Sequence, residues 1–548
     1  MSHYVSSELS ERIRTTLWSQ LAPVQMEALT VNLANVLPFL DSDFGIPLSM
    51  LRRAGTWMRT WDSNGEPRHI DPVEAGLERD LVFILSDEGR LQQAIDELQF
   101  HSLVTLDREQ RLSMYPGSRA MYRQSMLDPD RWKLQAVLLV CHAFPRDAYL
   151  EPEFGDLGRA QVPQVWRILQ HFDSLEATGK ASVQLKHAMV PTLLASSRFS
   201  GMAWKSRAIK RAQEILADPQ ASDPYLEMML KARQSDLRRL FHAEWDGISY
   251  KTEQDKLDKR LNALVGEVCL STAADYLQND EDLDKALLTL QEIQPVDRDN
   301  ISTLEELALQ KKAIAWGRIR RYQGRFHEAR QVLEAVYNSG SLPEGVVPVS
   351  ASNCDLVSHL AAVLCELGEP YQAEILLTQK IDSIQSPGLR ELDRVQRLKL
   401  ALAEAVLQQG EYWRAQDIYL DLSRHIRVVP ARPESVMSVS RLDMGLARVQ
   451  HVQGNWASAL KYWEQALRTY ENFPEAKGFG TVIVYASIAY VKNQLGDVAG
   501  STVFADKAQE LFKVTGRRHW FTRLGTEWLN RVMPVSNQID QENNGHDS

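Results

Sequence analysis

The sequence predicts a mainly all-α chain: an α-solenoid of stacked helical pairs, preceded by a small module closed by one β-hairpin. Three observations predict it. A pattern of small, glycine and bulky residues recurs every 42 to 44 residues through the second half. The chain has 548 residues, too long for one ordinary domain, which leaves several domains or a repeat array. Upstream of the recurring pattern, helical stretches run into two short apolar segments around a charged turn.

The repeat is legible by aligning on glycine. VQGNWASALKYWEQAL places Gly454 between two helix-like runs. Glycine inside a helix costs about 1 kcal/mol against alanine, so it reads as a turn. The same arrangement surrounds Gly324, Gly368, Gly410 and Gly496, at spacings of 44, 42, 44 and 42 residues. Seven residues before each glycine stands a small residue: Gly317, Ala361, Ala403, Ala447 and Ala489. Five after stands another: Ala329, Ala373, Ala415, Ala459 and Ser501. A bulky residue follows at nine, or at eight in the last copy: Leu333, Leu377, Tyr419, Trp463 and Phe504. A weaker copy precedes these, with Ala274, Glu281, Ala286 and Leu290 in the corresponding places.

The physical logic is that of two antiparallel helices. Small residues admit close approach, glycine makes the tight turn, and the large residue fills the gap to the next pair. One pair cannot bury its apolar face alone, so pairs stack into a solenoid with a continuous core. The pattern resembles the tetratricopeptide repeat in its long form, as in kinesin light chains, over residues 260–532. The proline that usually closes a repeat is absent. SLPEGVVPVSAS (341–352) and VVPARPES (428–435) read as loops between copies, and Ser302 with Glu305 as a capping box opening the Gly324 copy.

Residues 1–130 have a different texture. SERIRTTLWSQL and QMEALTVNLANVLPFL read as helices, and IPLSMLRRAGTWM as a third. GRLQQAIDELQFHSL then leads into SLVTL, the turn DREQ and RLSMY, a hairpin. Helices closed by such a hairpin are winged-helix-like. TTLWSQL, ANVLPFLDSDFGIPLSML and ELQFHSLVTLDREQRLSMYPGSRAMYRQ, continued by KLQAVLLVCHAFP and VWRILQHFDSL, resemble the module that follows the nucleotide-binding domain in fungal NOD-like (STAND, NB-ARC–TPR) receptors. The domain plan is thus a winged-helix-like module at 1–130, a helical connector or degenerate repeats at 131–259, the solenoid at 260–532 and a polar, disordered tail at 533–548.

The resemblance implies a nucleotide-binding domain ahead of the module, and these residues do not carry one. The Gly-Lys pair Gly179-Lys180 has no suitably spaced glycine before it and is followed by Ala181 rather than Ser or Thr, so no P-loop forms. The resemblance also implies a Met-His-Asp-like nucleotide sensor after the hairpin. Met114, Tyr115 and Pro116 stand there instead, a degenerate motif without a ring nitrogen or a carboxylate.

Composition excludes further classes. Apolar residues make up 44% and charged residues 24%, as in a folded globular chain. A net charge of -10 argues against a generic polyanion binder. Four dispersed cysteines give neither a disulfide framework nor a zinc site. The charged start lacks the apolar core of a secretory signal, and no run reaches a membrane span, so a cytoplasmic location is expected. No cofactor, nucleotide, membrane or nucleic-acid partner is expected from these residues.

Motif by motif, the bland reading prevails. GRLQQAIDELQF, the candidate DNA-reading helix, carries two acids against one base, where phosphate contacts need a positive field. The thirteen histidines show no HExxH spacing. The acidic run at 279–285 lacks the glycine and closing glutamate of a calcium loop. Trp57 and Trp61, four apart, read as packing one helix face. No GxSxG setting occurs. The chain reads as a non-enzyme.

One pattern rises above this background. In tetratricopeptide proteins the first helix of each pair lines a ligand groove through positions thirteen, ten, six and three before the turn residue. Carried onto this register, those positions hold Lys311, Arg318, Arg321, Arg397, Arg441, Arg448 and His451, with Asp355 and Glu404 as acids and Tyr490 and Asn493 in the last copy. Such a row suits an acidic peptide or carboxylate, arginine supplying bidentate contacts. It is equally a solvated face paired with acids on neighbouring helices. The reading reached is a protein-interaction scaffold, by resemblance the sensor and relay half of a STAND-type receptor. The alternative is a repeat-containing transcription regulator that uses the winged helix on DNA. An enzyme within 180–260 would require a deep pocket with convergent polar groups.

Overall fold

A computed structural model of the chain describes residues 27–40, 44–151, 153–199, 201–241, 258–277, 283–338, 351–384, 393–426, 433–472, 479–515 and 526–533. The expected helix at 10–21, most of the loops at 341–352 and 428–435, part of the acidic run at 279–285, and the tail lie outside the described residues. The fold is all-α in the main, with twenty-three described helices and five short strands. The described residues form two compact units. One holds those up to Asp236 with 258–265 and 302–304, and the other holds 237–241 and the remainder.

In the first unit, α1 (Ala28–Leu40) is followed by β1 (Ile46–Pro47), α2 (Leu48–Ala54), α3 (Arg79–Leu85) and α4 (Glu88–Phe100). The strands β4 (Val104–Leu106) and β5 (Arg111–Met114) flank the DREQ turn and pair antiparallel, and β1 joins on the far side of β5, giving the order β1-β5-β4. Asp107 closes the turn by accepting the N–H of Arg111 at 2.8 Å. Helices thus precede a hairpin in the order that the sequence predicts. Asp87 caps α4 through the N–H of Arg90 at 2.8 Å.

One local expectation is overturned. IPLSMLRRAGTWM is not one helix: α2 stops at Ala54, and β2 (Met58–Trp61) pairs with β3 (Pro67–Ile70) in a second hairpin. Trp57 and Trp61 therefore share no helical face. Trp57 is exposed, whereas Trp61 is buried and donates its indole N–H to Asp147 at 2.7 Å. The signal lay in Asp-Ser-Asn-Gly before Pro67, since Gly65 takes φ +76° at the turn.

Helix α5 (Pro116–Ser125) leads into α6 (Pro129–Ala143), α7 (Phe154–Ala177), α8 (Val183–Ser196), α9 (Met202–Leu216) and α10 (Pro224–Phe241). Helix α6 is buried almost all round, from Trp132 through Ala143, as an apolar helix at the centre of a unit should be. His142 donates from Nε2 to the carbonyl of Thr56 at 2.8 Å, while its Nδ1 is buried without a partner among the described residues. Gln164 and His171 of α7 reach the carbonyls of Gly45 and Phe39 at 2.6 and 3.1 Å.

The repeats form as pairs: α11 (Lys259–Asp275) with α12 (Leu283–Gln291), α13 (Thr303–Tyr322) with α14 (Phe326–Asn338), and α15 (Ala351–Glu366) with α16 (Pro370–Asp382). Then come α17 (Asp393–Gln408) with α18 (Tyr412–Ile426), α19 (Pro433–Val452) with α20 (Trp456–Asn472), and α21 (Phe479–Gln494) with α22 (Val498–Thr515), closed by α23 (Thr526–Val532). Every aligned glycine is left-handed, with φ from +73° at Gly324 to +82° at Gly496. Around each, the residue after the glycine donates back five residues, as Asn455 does to Gln450 at 2.9 Å, so the last carbonyls of the first helix are satisfied. Ala361, Ala403, Ala447 and their partners Ala373, Ala415 and Ala459 are buried, with Leu333, Leu377, Tyr419 and Trp463 fully enclosed between them. Apolar clusters overlap from Ile314 to Ala405, from Leu400 to Val449 and from Met444 to Val532, a continuous core. Glu305 accepts the N–H of Val296 at 2.8 Å, so the acid of the Ser302–Glu305 pair is engaged upstream of α13.

Two glycine substitutions separate conformation from packing. Gly454→Ala meets nothing nearer than 4.0 Å and should cost only the left-handed penalty, about 1–2 kcal/mol. Gly445→Ala would put a Cβ 2.3 Å from the Tyr419 ring and should cost more, by forcing α18 and α19 apart. Urea unfolding of the two variants checks the order.

Candidate functional site

The first helices of the six pairs, α11, α13, α15, α17, α19 and α21, carry the residues that the repeat register assigns to a groove. The side chains at those positions meet their counterparts on the neighbouring first helix. Lys311 of α13 bonds Glu267 of α11. Arg321, at the other end of α13, lies 3.5 Å from Glu366 of α15. Arg397 of α17 reaches back to Asp355 of α15 at 3.4 Å. Arg441 of α19 grips Glu404 of α17 through both carboxylate oxygens, at 2.9 and 3.0 Å. The fifth seam is aromatic, with His451 of α19 stacked on Tyr490 of α21 at 4.9 Å between ring centroids.

Burial sorts these residues into two groups. Arg321, Arg441, Arg448 and His451 are buried, and Arg448 lies 5.2 Å from the Trp528 ring centroid. Lys311, Arg318, Arg397 and Tyr490 are half-buried, and Asn493 is exposed. The side chains of Lys311 and Arg397 retain 25% and 38% of their exposure, so these two present charge to solvent. Asp355 and Glu404, noted in the sequence only as acids among cations, are the partners that hold Arg397 and Arg441.

The buried groups show the cost of this arrangement. Burial pushes the Glu366 carboxyl up against the pull of Arg321 and Arg448. Burial, then the cations Arg531 and Arg448, push His451 down to about 4 from 6.5, and neither ring nitrogen has a hydrogen-bond partner among the described residues. Trp456 and Trp528 close round the same imidazole at 5.3 and 4.8 Å.

In the first unit, Met114 is buried at the end of β5, while Tyr115 is exposed and its N–H donates to Leu103 at 3.1 Å. Pro116 opens α5 as its first residue. The three are successive positions at a strand–helix junction rather than a cluster of side chains around a ligand. Helix α4 buries Leu91, Ala94, Ile95 and Leu98, and Glu97 is engaged by the N–H of Glu27 at 3.0 Å and the hydroxyl of Thr30. Arg90, its one base, lies over the Phe83 ring. A pocket of about 230 Å³, lined by residues as far apart as Arg59, Arg146, His187, Tyr225 and Arg260, had no counterpart in any sequence motif. The chain brings those residues together only by folding.

No protein-family model matches this chain, and no curated protein matches it. Among solved structures it is similar to a STAND (signal transduction ATPase with numerous domains) protein with a tetratricopeptide repeat sensor from Pyrococcus horikoshii. Identity is 13% and the TM-score 0.44, over 91% of this chain and 67% of that one. It is also similar to a human IFIT1 dimer with m7Gppp-AAAA, at 11% identity and a TM-score of 0.36, over 87% of this chain and 95% of that one. Likenesses of this strength concern the helical-repeat fold and carry no argument about activity.

Two outcomes test the seams. Arg441→Met leaves Glu404 without its bidentate partner and should destabilise the repeats by about 3–5 kcal/mol, whereas Arg441→Met with Glu404→Met should recover most of that loss in denaturant unfolding. His451 binds its proton less readily folded than unfolded, so stability should fall as pH drops from 6.5 towards about 4. His451→Phe should flatten that slope in thermal melts across the window.

Proposed function

We propose that this chain is a non-catalytic protein-interaction scaffold, the sensor and relay portion of a STAND-type receptor, whose solenoid receives a protein or an acidic peptide along its first helices. The single observation that carries the ligand reading is the pair of half-exposed cations, Lys311 and Arg397, at the same register position on α13 and α17. Each already holds a carboxylate across an inter-helix seam. An arriving acidic side chain exchanges with a protein carboxylate at such a place, and an exposed pair is worth only about 0–1 kcal/mol, so the exchange is cheap. Arg321 and Arg441 are buried with their acids and serve the solenoid itself. Tyr490 and Asn493 extend the accessible row onto α21.

The relay reading is supported by the order of parts, a winged-helix-like module before a run of helical pairs. It is also supported by α4, whose acids and packed apolar face suit contact with protein better than with phosphate. The module's sensor position holds Tyr115, so any nucleotide dependence of the receptor would have to arise from other residues.

The test uses the full chain and a fluorescein-labelled twelve-residue Asp/Glu-rich peptide as probe. Binding should be saturable, weaken with added salt, and fall by about tenfold or more in Lys311→Glu with Arg397→Glu, with helicity unchanged. Binding that ignores both substitutions, or no binding at all, overturns the acidic-peptide reading.

A further inference from the structure

The 230 Å³ pocket of the first unit is walled by β2, the stretch after α6, helices α8 and α10, and the start of α11. Three arginines converge on it, and their surroundings differ from those of the solenoid arginines. Arg146 follows α6 and spends one terminal nitrogen, Nη2, on the carbonyls of Cys141 (2.9 Å) and Ala188 (3.3 Å). Its Nε is buried and has no partner among the described residues, and burial pushes its pKa down. Arg260 lies over Tyr225, 3.7 Å from the ring centroid, and reaches the carbonyl of Trp61 at 3.4 Å. Its Nε is likewise buried and without a partner among the described residues. Arg59 is exposed on β2 at the rim. Among the described residues none of the three forms an ion pair.

The pocket's own carboxylates form no ion pair with them among the described residues. Asp147 accepts the indole N–H of Trp61 and the backbone N–H of Tyr149, both at 2.7 Å. Asp223 caps α10 through the N–H of Leu226 at 3.0 Å. The lone imidazole on this wall, His187, donates from Nε2 to the carbonyl of Ala221 at 3.1 Å. Guanidinium groups partly withdrawn from water without an ion pair, as at Arg146 and Arg260, are costly, and an anion supplied from outside reduces that cost. The remaining wall is apolar, made of Leu150, Pro191, Leu226 and Met229 beside the Tyr225 ring. Another depression of the unit, between α7 and α9, is less suited, because its Arg211 already pairs with Asp173, Glu176 and Glu214.

We propose that this pocket binds a small organic anion, a carboxylate or phosphate carried on an apolar body, with its charge on Arg59, Arg146 and Arg260 and its body against Tyr225, Leu226 and Met229. The volume lies below the roughly 300–1,000 Å³ of pockets for drug-sized ligands, which selects a short acid over a nucleotide. The site is independent of the peptide reading of the solenoid.

Calorimetric titration of the full chain with benzoate, phenyl phosphate, inorganic phosphate and neutral benzamide tests it. Benzoate or phenyl phosphate should bind one to one, and the tighter of the two identifies the head group. Inorganic phosphate and benzamide should bind at least about tenfold more weakly, each lacking one half of the ligand. Arg59→Ala and Arg260→Gln should each weaken binding by about tenfold with the circular dichroism spectrum unchanged. Arg146 itself ties up two helix carbonyls, so the test rests on the other two variants, which leave that tie intact. Absence of saturable binding of both aromatic acids to folded protein, or binding indifferent to both Arg59→Ala and Arg260→Gln, overturns the proposal.

Discussion

The repeat unit depends on close approach of two helices that neither could sustain alone. At Ala361, Ala373, Ala403, Ala415, Ala447 and Ala459 a larger side chain would hold the helices apart, and the enclosed Leu377, Tyr419 and Trp463 would lose their contacts. The left-handed glycine at each turn returns the chain fast enough for those alanines to face one another. Gly317 and Gly445 show the limiting case. Leu333 and the Tyr419 ring occupy the space a Cβ would need at these two positions, so the first helix itself must be bare there. Once a pair is closed in this way, its outer apolar stripe needs the next pair, and the overlapping clusters are the result.

Stacking then brings the first helices side by side, and this decides the fate of their charges. A long basic residue on such a face finds an acid about one repeat away, as Arg397 finds Asp355 and Arg441 finds Glu404. Where the seam is open, the pair is a weak surface contact that a ligand can displace. Where it is closed, as at Arg321 and Glu366, the pair is desolvated and its removal one partner at a time is damaging. The same register position can therefore hold a solvent-facing pair in one repeat and a buried one in the next.

This explains what could and could not be read from the chain. The turn glycines, the small positions and the enclosed bulky residues all recur with one spacing, so local sequence specifies them. The hairpin at Val104–Met114 was equally local, carried by its apolar runs and the turn at Asp107. The Met58–Ile70 hairpin was masked by a preceding helical run and by two tryptophans whose spacing mimics a helix. Which cations would be buried was not legible, because their partners sit 37 to 45 residues away and nothing in either segment names the other. The arginine pocket was beyond reach for the same reason, since Arg59, Arg146 and Arg260 belong to three segments with no common pattern.

The two sets of arginines also separate structural charge from ligand-directed charge. A chain with a net charge of -10 has carboxylates to spare, and the solenoid uses them to cover Arg321, Arg397 and Arg441. In the first unit the nearby acids are instead committed to N–H groups: Asp147 to Trp61 and Tyr149, Asp223 to Leu226. An acidic protein that leaves three guanidinium groups without ion pairs among the described residues, while its carboxylates cap turns beside them, has arranged its charges for an external anion. The contrast rests on partner geometry rather than on composition, and it holds although both sets are drawn from the same residue type.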